Sequence, residues 1–118
     1  MYQENIVLCG ANAYEQKYYF NPDFSSLPSA VQDELQIMCV LYTEDVGGVL
    51  LLEFDVEGNL QFKVEAMDAD ARFDEIGSVL KIKQIRREKE GLLRSLEMYY
   101  RVFCLGEGLE DMDHDLSD

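Results

Sequence analysis

The chain has 118 residues, 47% of them hydrophobic, enough for one domain with its own core and too few for two. Asp and Glu number 24 against 10 Lys and Arg, and the resulting charge of −14 repels the phosphates of nucleic acid. No uncharged stretch, residues 35–43 included, exceeds ten residues, far short of the roughly 20 of a membrane span, and the first residues lack a basic and then apolar leader; the expected compartment is the cytoplasm.

Residues 5–11 form a β-prone apolar run, and residues 14–20 a second in which Tyr14, Gln16, Tyr18 and Phe20 alternate with Glu15, Lys17 and Tyr19. The turn formers at 10–13 predict a first hairpin. Without G-x-G-x-x-G or G-K-[ST], and with a strand rather than a helix following, Gly10 does not open a nucleotide loop. Asn21-Pro22-Asp23 punctuates the chain.

The next segment, Leu27 to Val46, reads as the organising helix. Pro28 suits a first turn, Ser26 is placed to cap, and Val31, Leu35, Met38, Cys39, Tyr42 and Val46 share one helical face. Ile37, Val40 and Leu41 widen the stripe, so a central helix is expected. Gly47-Gly48 ends it. Leu50, Leu52 and Phe54, then Leu60, Phe62 and Val64, alternate with polar residues on either side of Asp55-Val56-Glu57-Gly58-Asn59, a hairpin signature.

Asp68 or Asp70 offers the next N-cap, with Phe73, Ile76 and Leu80 at helical spacing and Gly77 a weak point. Residues 79–85 also alternate with period two, but the helix formers at 86–90 decide for helix. Ile85, Leu92, Leu96, Tyr99 or Tyr100, and Phe103 continue the stripe to Gly106. Unbroken from 71 to 105, the helix would be about 52 Å long. A break between Gly77 and Ile85, or pairing with a second copy, is expected to relieve that length.

Charge is unevenly spread. Residues 78–101 hold seven bases and three acids, whereas the twelve residues from 107 carry six acids and no Lys or Arg. The segment supplies a candidate interaction surface of Lys81, Lys83, Arg86, Arg87, Lys89, Arg94, Tyr99 and Arg101, set against the plainer reading of a solvated helix face. Glu44 and Asp45 form a candidate polar site. Both oppose the helix dipole at its C-terminal end, and pairing with Arg86 or Arg101 is the structural explanation.

Cys9, Cys39 and Cys104 each lie in an apolar context without a C-x-x-C pair, the pattern of buried free thiols. A catalytic thiolate needs a base, and the sole histidine is His114. Asp111-x-Asp113-x-Asp115 begins like a calcium loop but has Leu116 where glycine is required. These residues predict no metal, cofactor or catalytic group.

Three segments, Tyr14-Glu15-Gln16-Lys17-Tyr18-Tyr19, residues 39–48 from Cys39 to Gly48, and residues 74–83 from Asp74 to Lys83, resemble an uncharacterised bacterial family of small acidic proteins, a domain of unknown function. The resemblance covers residues 5–105 and implies a single-domain bacterial cytoplasmic protein. It brings no activity or ligand with it.

The expectation is an α+β domain over residues 1–106. Two β-hairpins form one antiparallel sheet, with the central helix and a C-terminal helical segment packed on one face. An acidic disordered tail follows at 107–118. The expected function is a small non-catalytic protein-interaction or regulatory module, homodimeric, with itself and an unidentified protein as partners. The alternative is a nucleic-acid-associated protein that binds through helix 81–101 and is autoinhibited by its tail. A hydrolase or transferase using Glu44 and Asp45 is the third reading, and it lacks a partner base.

Overall fold

A computed structural model describes residues 4–106. The acidic tail, His114 and the Asp111–Asp115 pattern lie outside them. Two hairpins, β1 (Ile6–Asn12) with β2 (Lys17–Phe20) and β3 (Val49–Phe54) with β4 (Leu60–Glu65), form one antiparallel sheet in the order β2-β1-β3-β4. Between the hairpins run a short 3-10 turn, Pro22–Phe24, and helix α1, Ser29–Val46; α2 (Glu75–Glu88) and α3 (Glu90–Phe103) follow. The α+β architecture is the one expected.

Period two decides the inner face. Leu50, Leu52 and Phe54 are fully buried, whereas Val49, Leu51 and Glu53 between them are half-exposed. Register extends the inner face across all four strands in a row Phe20–Cys9–Leu52–Phe62. The fully buried Leu35, Cys39 and Tyr42 of α1 cover it. On the outer face, a Cβ at Gly10 would collide with the Leu51 side chain and the Leu50 carbonyl, so glycine there lets Leu51 lie across β1. Gly10 is therefore a mid-strand residue, and the first turn falls at 13–16, later than expected. Asn12 sets it: its Oδ1 accepts from the N–H of Tyr14 (2.9 Å) and Glu15 (3.2 Å), and Gln16 takes the left-handed conformation.

Helix α1 departs from expectation at its start. Ser26 does not cap; its hydroxyl meets the Tyr99 hydroxyl at 2.6 Å, and Pro28 occupies the cap position. Gln32 secures that end instead, donating from Nε2 to the Leu27 carbonyl at 2.8 Å. The helix is covered on one side only, since Ile37 and Leu41 are exposed. At its end Gly47 has φ of +83° and donates to the Thr43 carbonyl.

Asp74 caps α2 rather than Asp68 or Asp70, accepting from the Gly77 N–H at 2.8 Å. A Cβ on Gly77 would overlap that carboxylate, so the glycine admits the cap and makes no kink. The cap rotates Ser78 inward, where its hydroxyl meets that of Tyr42 at 2.5 Å, and turns Ile76 and Leu80 out to solvent. The long helix breaks at Lys89, not between Gly77 and Ile85. Two docking directions cause the break: α2 lies along α1 through Ser78 and Ile85, whereas α3 turns toward β4, where Glu97 accepts from the Leu60 N–H. Tyr100 fixes α3 by stacking on Phe54, ring centroids 4.2 Å apart, with Phe24 beside both. Phe103, expected in the apolar stripe, is exposed.

Phe54→Ala is expected to cost about 3–5 kcal/mol in a urea melt, because it removes the ring under Tyr100 and leaves a cavity. Asp74→Ala should cost about 1 kcal/mol. Gly77→Ala should not yield the ~1 kcal/mol that the exchange ordinarily gives inside a helix, because the new methyl displaces the cap.

Candidate interaction surface

Glu44 and Asp45 line an open cleft of about 1270 Å³ between the C-terminal end of α1, the β1–β2 turn and the loop at 66–73. Tyr14, Tyr18, Asp70 and Arg72 form other parts of its wall. Asp45 pairs with Lys81 at 2.9 Å. The expected partners, Arg86 and Arg101, are both elsewhere. Lys81 projects from α2 toward α1, and so reaches an acid that opposes the α1 dipole. Tyr14 is fully engaged: its hydroxyl donates to Asp70 at 2.5 Å and accepts from the Met67 N–H at 3.0 Å. The Tyr14 bond, then the Arg72 N–H, hold the Asp70 carboxyl below the usual carboxylate range, and the same bond raises the Tyr14 phenol. Among the described residues no three His, Cys, Asp or Glu side chains converge for a metal ion. Among the described residues, no Ser, Cys or His lines the cleft.

The basic residues of 81–101 are distributed, not aligned. Lys81 and Lys89 turn toward α1, Lys89 pairing with Glu34 at 3.0 Å. The Arg86 guanidinium lies 4.6 Å from the centre of the Phe62 ring. Arg101 reaches the β3–β4 turn, donating to the Glu57 carbonyl and to Asn59 Oδ1. Arg94 pairs within its own helix with Glu90 at 3.6 Å. Tyr99 is half-buried against Ser26 and Phe103. Only Lys83 and Arg87 stand clear on the outer side of α2. A continuous basic face is therefore not assembled.

Reasoning from composition missed a different surface. On α2, Ile76, Leu80, Lys83 and Arg87 recur at i, i+4, i+7 and i+11, and all are exposed. On α1, Asp33, Ile37, Leu41 and Glu44 form a matching outer stripe, also exposed. Ile37 is 59% exposed, Leu41 48%, Ile76 76% and Leu80 61%, values far above those of core residues. The signal was present in the apolar spacing. It was assigned to the core because period alone does not say which of two apolar faces is covered. Cys104, expected buried, is also exposed.

No helix among the described residues is long and apolar enough to cross a membrane. No curated protein and no solved structure is a significant match to the chain. The model of a family of unknown function, DUF6145, matches residues 5–108, and the chain belongs to that family.

Folded Asp70 gives up its proton more readily than unfolded Asp70. Its contribution to stability is whole above a pH of about 4 and is lost as pH falls through the lowered folded value. Tyr14→Phe is expected to move the Asp70 carboxyl back up toward the ordinary range in an NMR titration. An unchanged titration would show that Tyr14 is not the cause.

Proposed function

We propose that this chain is a small non-catalytic interaction module that pairs with a second copy of itself through the outer face of α1 and α2. The observation that carries the reading is the division of that face. Acids, Asp33 and Glu44, flank the apolar pair Ile37 and Leu41 on α1. Bases, Lys83 and Arg87, follow the apolar pair Ile76 and Leu80 on α2. A two-fold axis sets the same patch against itself, so α1 of each copy meets α2 of the other and opposite charges come together. Four apolar side chains from each copy, 48–76% exposed, contribute a gross ~7–15 kcal/mol at full burial, against an association cost of about 4–15 kcal/mol. Acid–base pairing across the seam also offsets locally the repulsion between two chains of −14 each. The same face would serve an unidentified heterologous partner. Nucleic-acid binding through 81–101 has no comparable support, since five of its seven bases contact the body of the chain or pair within their own helix.

Light scattering should return twice the 13.6 kDa of the chain, with the mass falling on dilution. Leu80→Glu should weaken association by on the order of 100-fold or more while leaving the circular dichroism spectrum unchanged. A wild-type mass of one chain at every concentration would contradict the reading.

A further inference from the structure

Two of the three cysteines meet inside the core. Cys9, in the middle of β1, and Cys39, in the middle of α1, are both fully buried, with their Sγ atoms 3.9 Å apart. They come from different elements, 30 residues apart in sequence, and among the described residues they belong to no cluster able to hold a metal ion. The Tyr18 phenol borders the pair. Its oxygen is enclosed without a hydrogen-bond partner, and burial together with the two cysteines raises it. Tyr18 also lines the open cleft, as do Ala11, two residues along β1 from Cys9, and Val40, next to Cys39. The dithiol thus sits one side chain beneath a solvent-filled opening.

We propose that Cys9 and Cys39 are a latent disulfide, closed by a small hydroperoxide entering through the cleft, that ties the sheet to α1. In the first step a thiolate sulfur attacks the peroxide O–O bond. It becomes a sulfenic acid, and the other oxygen leaves as water or alcohol after taking a proton. In the second step the neighbouring sulfur attacks the sulfenic sulfur, forming the S–S bond and expelling the hydroxyl as water. Two thiols lose two protons and two electrons, and the peroxide is reduced by the same two electrons and takes up the two protons. The sulfurs need to close by roughly 1.9 Å to reach bonding distance. Contact with Cys9, then burial, hold the Cys39 thiol well above its usual range, so closure is slow at neutral pH and faster as pH rises. Exposed Cys104 has no neighbouring thiol to resolve a sulfenic acid. This device does not depend on how the outer face of the helices is used.

The test exposes folded Cys104→Ser protein to hydrogen peroxide, followed by peptide mapping without reductant; wild-type protein is mapped in parallel. The expected result is a chain cross-linked only within itself and lighter by two hydrogens, with the Cys9 and Cys39 peptides joined and released by a thiol reductant. The joined form should also melt higher, by on the order of 10 °C, because the cross-link closes a long loop. Recovery of Cys9 and Cys39 as free thiols, as separate sulfinic acids, or in wild-type protein joined chiefly to Cys104 would overturn the proposal. A joined form that melts lower than the reduced one would do the same.

Discussion

The covering of Leu50, Leu52 and Phe54 by α1 and α3 is the constraint from which the other features follow. These three side chains stand on one face of a central strand, and none retains contact with water. Leaving that row exposed would forfeit about 1.5–3 kcal/mol for each residue, more than any surface ion pair in the molecule can return. Helix α1 covers the half of the row over β1 and β3, and Tyr100 on α3 covers Phe54. The connection between them has to change direction, which places the break at Lys89 amid residues that all favour helix. Local propensity yields there to packing.

Polar contacts tie the covering layer down after it is placed. Lys81, from the middle of α2, and Lys89, just past its end, join α2 to α1, while Arg101 and Glu97 join α3 to the β3–β4 hairpin. Each exposed ion pair is worth little by itself, at most about 1 kcal/mol. Their combined effect is geometric, since they use inward the bases that composition offered as an external surface. The cleft is likewise engaged in internal bonds: Tyr14 holds Asp70, and Lys81 holds Asp45.

Much of this was legible from residue order. Alternation along 50–54 and 60–64 gave the second hairpin, and glycines at 47 and 48 gave the end of α1. The sheet with helices on one face followed. Three features were not legible, each for a physical reason. Gly10 looked like a turn because its real requirement, room for Leu51 from the adjacent strand, is a contact between residues far apart in sequence. Asp74 was passed over as a cap in favour of earlier aspartates, since capping depends on which N–H groups a backbone turn presents. Ile76 and Leu80 share helical spacing with buried residues, and only the placement of Ser78 against Tyr42 shows that they face outward. Glu44 and Asp45 break the local rules at the end of α1, and Lys81 answers Asp45 rather than either arginine proposed.

What the packing leaves uncovered is one stripe on each of two helices, with apolar residues on both, acids on α1 and bases on α2. Isolated exposed apolar side chains are ordinary, and the proposed pairing rests on four of them on two stripes with opposite flanking charge. Isotope-filtered NMR on a mixture of carbon-13-labelled and unlabelled chains tests this arrangement directly. The account predicts intermolecular contacts between the methyl groups of Ile37 or Leu41 and those of Ile76 or Leu80. Intermolecular contacts confined to the open sheet face, at Tyr19 and Leu51, or their absence at every concentration, would contradict it.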